Sequence, residues 1–259
     1  MATNVKVRSI NNTSVLEGDK QMHSRSKNAV MTGVLFIVAT VAALAAQTVE
    51  SVLSGTNYLP TVAANASQVA GGALFYLIAA FTSVGIAISL YPVLKKWNVG
   101  LALGSVVFRT LEAVMYIAAV VSLLSLVTLS QHVAHAGAAD RASFQAIGDS
   151  LRSVREHATL AGVFAFSLGA IMYYSLFFQS RLIPRWLSGW GIAASVLMLA
   201  ACLLALFSDR YVTGYVLLIL PIAVQEMVLA VWLIVKGFNA SAIAPRSAKT
   251  ETNELLSAA

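Results

Sequence analysis

Charge is scarce in this chain: Asp, Glu, Lys and Arg make up 11% of its 259 residues, against roughly 25% in soluble domains. Hydrophobic residues make up 58% and the mean hydropathy is +0.78. A soluble fold of this size could not cover so much apolar surface, so the composition is that of an integral membrane protein. There is one cysteine, Cys202, which excludes an intrachain disulfide and a multi-cysteine metal site. Set in Leu199-Ala200-Ala201-Cys202-Leu203-Leu204, it reads as a small hydrophobe. No G-x-S-x-G elbow, H-E-x-x-H pair or phosphate-binding P-loop occurs, so no catalytic residue can be named.

The few histidines point the same way. Membrane b-type haem needs histidines that face each other inside a bundle, and only His157 touches an apolar stretch. His132 and His135 are three apart, with Asp140 and Glu156 as further oxygen donors, but a second paired motif is missing. No cofactor and no bound metal are therefore expected. The glycines are scattered, and Gly100 and Gly104 have the small-xxx-small spacing that lets membrane helices approach closely. No internal repeat stands out. The first 28 residues are polar, and the apolar stretch after them is long enough to span, which predicts an uncleaved first helix.

Crossing about 30 Å of hydrocarbon takes about 20 apolar residues in a helix. Six stretches qualify: Val30 to Leu53, Val69 to Leu94, Val99 to Leu129, His157 to Phe178, Trp186 to Phe207 and Val212 to Val235. Tyr91, Trp97, Trp186, Trp190, Tyr211, Tyr215 and Trp232 mark their ends, the level that aromatic residues favour at a membrane interface. The fold expected is an all-α polytopic bundle of six transmembrane helices over residues 29–239, with disordered tails at 1–28 and 240–259. Between the third and fourth stretches, Phe144, Ile147, Leu151 and Val154 recur at spacings of three and four. That predicts an amphipathic helix along the interface or capping the bundle.

Basic residues set the orientation. Twelve Lys and Arg fall on the side of the two tails and four on the other, with Arg109 inside the third stretch. The positive-inside rule then predicts both termini in the cytoplasm. The net charge of +6 follows from this tail and loop bias. It suits a lipid surface and argues against a nucleic-acid partner. A membrane-protein partner or a second copy of the chain remains open.

Within this apolar background stand Arg109, Glu112 and Glu226. Arg109 lies 13 residues beyond Lys96 and Glu226 lies 10 residues before Lys236, about 20 Å and 15 Å along a helix. Both therefore sit near the bilayer midplane. Arg109 and Glu112 share a helical face and can pair. A charge at such depth costs about 2.5–3.5 kcal/mol on insertion scales, so it normally faces a partner or a watery cavity. The trio can be a structural clamp between the third and sixth helices, a proton or solute site, or a partner contact. Pro221, five residues before Glu226, predicts a kink beside it. Glu50 and Gln47, one turn apart, read as the solvated outer end of the first helix. With His157 they are secondary candidates.

Several strings together resemble a family of bacterial membrane proteins catalogued as domain of unknown function 4386. They are Leu90-Tyr91-Pro92-Val93-Leu94-Lys95-Lys96, Leu101-Ala102-Leu103-Gly104 leading into Arg109-x-x-Glu112, Ser180-Arg181-Leu182-Ile183-Pro184-Arg185-Trp186, and Glu226 followed by Trp232-Leu233-Ile234-Val235-Lys236-Gly237-Phe238. The resemblance covers residues 29–239 and implies a multi-helix protein of the bacterial inner membrane. It carries no activity over. Two function classes follow: a non-enzymatic sensing, scaffolding or accessory protein, and a small-solute or proton-coupled transporter.

Overall fold

The computed structural model describes residues 27–133, 137–208 and 210–243. Most of both tails, and His135, lie outside the described residues. Among the described residues, six helices are long and apolar enough to cross a membrane: Lys27–Leu53, Ala66–Leu94, Val99–Val133, Asp140–Ser180, Arg185–Leu206 and Val212–Val235. They are the first to sixth spans below. The chain folds this way because a bilayer offers no partner for backbone polar groups, so each crossing segment must satisfy its own. Serine and threonine do likewise: Thr110 Oγ1 donates to the Val106 carbonyl and Ser195 Oγ to that of Gly191. Large side chains such as Phe81, Val121 and Leu217 point outward and are more than half exposed, which suits a lipid-facing surface.

Two sequence expectations are revised in detail. The third helix runs on to Val133. The amphipathic segment is present, but it joins the fourth span without a break in one helix, Ala138–Ser180, of 43 residues. Phe144 and Leu151 pack on the core, whereas Ile147 and Val154 are half exposed. The extension clasps neighbouring loops. Arg152 stacks over the rings of Tyr58 and Tyr211, at 5.3 and 5.7 Å, and its Nη1 donates to the Gly55 carbonyl. The sixth span begins with a 3-10 turn, Val212–Tyr215, and its helix passes through Pro221 unbroken.

Because the spans alternate in direction, one end of the bundle carries Lys27 and Lys236. We call this end proximal and the opposite end distal. Contacts between spans follow the antiparallel packing. Thr32 pairs with Ser89 and Thr40 with Glu226, while Ser83 pairs with Glu112 and Ser122 with the Leu151 carbonyl. At the proximal end the first and sixth spans almost touch: a Cβ on Gly33 would lie 2.7 Å from the Ala230 backbone oxygen. Gly104 likewise faces Met172 of the fourth span. Gly100 meets only Asn98, whose side chain caps Leu101 N, so it takes no part in an interhelical contact.

The buried apolar residues form two clusters. The larger one includes Phe36, Leu90, Tyr173, Tyr174, Phe177 and Leu233 toward the proximal end and continues through Cys202 and Ala205 to Val212 at the distal end. The distal one includes Val49, Leu53, Tyr58, Tyr76, Leu123 and Leu126.

Candidate functional site

Arg109 and Glu112 are brought together by one turn of the third span, and the sixth span brings Glu226 to the same level. All three are buried, at 2%, 4% and 7% exposure. Arg109 Nη1 lies 3.1 Å from Glu112 Oε2. The contact is an ion pair without good hydrogen-bond alignment, and both Nε and Nη1 lack a hydrogen-bond partner. The guanidinium also stacks on Phe166 of the fourth span, 4.5 Å from the ring centroid, a favourable arrangement for a desolvated cation. Glu112 Oε2 additionally accepts from Ser83 Oγ at 2.6 Å.

Glu226 is held differently. Its Oε2 accepts one long hydrogen bond, 3.3 Å, from Thr40 Oγ1 of the first span. Its Oε1 has no partner, and among the described residues no cationic group comes within ion-pair distance of it. The Tyr173 hydroxyl is within hydrogen-bonding reach of the Glu226 carboxyl, though without well-aligned geometry.

These side chains floor a cavity of about 240 Å³ that reaches toward the distal end. Residues from all six spans line it. Thr40, Ser83, Arg109, Glu112 and Glu226 give the polar floor, while Leu44, Val163, Met198, Val216 and Ile219 give apolar walls. Tyr76 and Tyr116 add aromatic surface, their rings edge to face at 5.9 Å. Below the floor the bundle is packed shut. Gln225 accepts from the Tyr174 hydroxyl and donates to the Leu187 carbonyl, and Phe36, Tyr173, Phe177 and Phe238 form an aromatic column. The cavity is therefore one-sided.

The secondary candidates separate. Gln47 lines the distal part of the cavity. Glu50 is not a freely solvated helix end: its side chain is 32% exposed and ion-paired with Arg155. Arg155, 1% exposed, also pairs with Glu156 and donates to the Tyr76 hydroxyl at 3.3 Å. In the sequence Arg155 is one more polar residue of the amphipathic segment. Its partner Glu50 is 105 residues away, and only folding reveals the pairing. His157 is exposed, its Nδ1 next to the Ser153 carbonyl and hydroxyl, and lines a smaller distal groove with Glu156, Arg210 and Tyr211. Among the described residues, no group of three or more His, Cys, Asp or Glu is placed to hold a metal ion.

No curated protein and no solved structure matches this chain. One family model does, the Domain of unknown function (DUF4386), over residues 31–237. That match covers five spans whole and nearly all of the first, together with the buried Arg109, Glu112 and Glu226, and the chain belongs to this family of membrane proteins.

Proposed function

We propose that this is a non-enzymatic, small-molecule-binding protein of the bacterial inner membrane, with a sensing or accessory role. Both termini are then cytoplasmic, and the cavity faces the distal, outer side. The observation that carries this reading is the cavity itself. A pocket with apolar walls and a few convergent polar groups is the ordinary form of a small-molecule site. Here its floor is made of intramembrane charges that are costly to keep. The twelve-to-four distribution of Lys and Arg supports the orientation.

A second reading is a small-solute or proton-coupled transporter. It is favoured by the one-sided opening, since a carrier caught facing outward is open at one end and packed at the other. Net flux into proteoliposomes separates transport from binding alone.

Cysteine labelling tests the binding cavity. In a Cys202→Ala background, Ala43→Cys and Ser83→Cys should react with a membrane-impermeant thiol reagent added from the outer side. Ser89→Cys and Ser195→Cys, which are buried and do not line the cavity, should stay unlabelled. Protection of both cavity positions would overturn the reading. Orientation has its own test: high alkaline phosphatase activity from a fusion after Phe238 would place the carboxy-terminal end outside.

A further inference from the structure

The charges around the cavity floor do not balance. Arg109 is matched by Glu112, at 3.1 Å, and its guanidinium face is covered by Phe166. Glu226 is left over, 7% exposed, with one long hydrogen bond to Thr40, the Tyr173 hydroxyl nearby, and an Oε1 that makes no well-aligned hydrogen bond. With all three groups ionised the trio carries one net negative charge. An uncompensated carboxylate in a dry interior is costly, so the site favours an occupant that brings a positive charge and hydrogen-bond donors. The rest of the cavity specifies the remainder of that occupant. Leu44, Val163, Met198, Val216 and Ile219 make the walls largely apolar, which suits an occupant with a sizeable apolar body. The ring of Tyr116, which also lines the cavity, is a surface on which an ammonium group is stabilised, whereas that of Tyr76 already lies beside the Arg155 guanidinium.

We propose that the cavity binds a lipophilic amine, whose ammonium group donates to Glu226 Oε1 and whose apolar body lies along the walls toward the distal end. The proposal rests on the small-molecule-binding reading above and narrows it to one ligand class. Arg109 is then a positioning residue. Held by Glu112 and Phe166, it pairs with Glu112 and leaves Glu226 as the carboxyl that meets the ligand's ammonium group. The same floor would not favour a carboxylate ligand, because Glu226 would repel it.

The experiment compares head groups on a constant body, using the purified full-length protein in lipid nanodiscs and calorimetric titration. Probes are 1-adamantylamine, 1-adamantanol and 1-adamantanecarboxylate, with cyclohexylmethylamine, cyclohexylmethanol and cyclohexanecarboxylate as a second body. On the wild-type protein the amine should bind about tenfold or more tightly than the alcohol of the same body, the worth of a charge-assisted hydrogen bond. The carboxylate should bind most weakly. In Glu226→Gln the amine should lose about that factor while the alcohol stays within roughly threefold. Alcohol binding as tight as amine, carboxylate binding tighter than either, or no binding of either amine would sink the proposal. The wild-type head-group series needs no variant, so poor folding of Glu226→Gln leaves the test intact. If Ala43→Cys and Ser83→Cys label as expected and the amine preference is absent, only the ligand class falls. If the labelling fails too, the cavity reading falls with it.

Discussion

Two buried arginines, Arg109 and Arg155, each leave Nε without a hydrogen-bond partner, but they divide this bundle into a part that is closely paired and a part that is not. Arg155, at the distal level, pairs with Glu50 of the first span and with Glu156, its neighbour in the fourth, and donates to Tyr76 of the second. It thus ties three spans together. Arg109 has one carboxylate, in a contact that lacks hydrogen-bond alignment, and it faces a cavity. Buried charges persist when they are paired and hydrogen-bonded. A cluster meeting that condition is sufficiently explained as a clamp. One that falls short, beside an open volume, points to something that completes it.

The largest expected effect tests this contrast directly. Arg155→Gln should destabilise the detergent-solubilised protein by about 3–5 kcal/mol, because it breaks at once the buried contacts to Glu50, Glu156 and Tyr76 that join three spans. Glu226→Gln, which removes a carboxylate with a single weak hydrogen bond, should fall within about 1 kcal/mol of wild type. Thermal unfolding of both variants is the measurement. Equal losses would mean that Glu226 is as much a structural element as Arg155.

Next in size is a test within the midplane cluster. Removing Arg109 leaves two carboxyls that can accept protons, whereas removing both glutamates strands a guanidinium that cannot give one up. Glu112→Gln/Glu226→Gln should therefore destabilise more than Arg109→Gln, by about 2 kcal/mol or more. Near-wild-type melting of the double variant would show that Arg109 reaches water through the cavity.

How much of this can be read from the sequence differs between the two clusters, and the reason is physical. Arg109, Glu112 and Glu226 stand out because each interrupts a long apolar run, and helical rise alone places them at one depth. The six spans are legible for the same reason. Arg155 and Glu156 lie where a polar segment joins an apolar one, so their charge looks ordinary until the 43-residue helix carries them into the bundle. Thr40, Ser83 and Phe166 are invisible as site residues, since serine, threonine and phenylalanine occur throughout the spans. The cavity is illegible too, because it arises where the first and sixth spans, tight at Gly33, line an open volume farther along.

That proximal seal gives a smaller, sharper test of why the cavity is one-sided. Gly33→Ala places a Cβ about 2.7 Å from the Ala230 oxygen, which is backbone and cannot rotate away. Overpacking of this kind costs about 1–3 kcal/mol. Gly71→Ala, with nothing within 4 Å of the new Cβ, should be neutral or stabilising by about 0.5–1 kcal/mol, the helix preference for alanine. A Gly33→Ala protein as stable as wild type would mean that the two spans can part, and the seal would no longer account for the closed end.

The smallest effect belongs to the distal clasp, at Tyr58. Burial and the nearby Asp149 carboxylate push its phenol above the ordinary value of 10.0, with Arg152 opposing. An acid whose folded pKa is raised gives stability that is fully present below the unfolded pKa. That stability is lost as pH rises from there through the folded value. Between neutral pH and about 9 the variant Tyr58→Phe should melt close to wild type, because the hydroxyl makes no well-aligned hydrogen bond to lose. Above about pH 10 the unfolded wild-type chain gains an ionised phenolate that the phenylalanine ring of the variant cannot supply, so the variant should lose stability less steeply. Parallel melting curves against pH would show that the Tyr58 phenol meets solvent freely. The extension of the fourth span would then be a looser cover than its stacking with Arg152 implies.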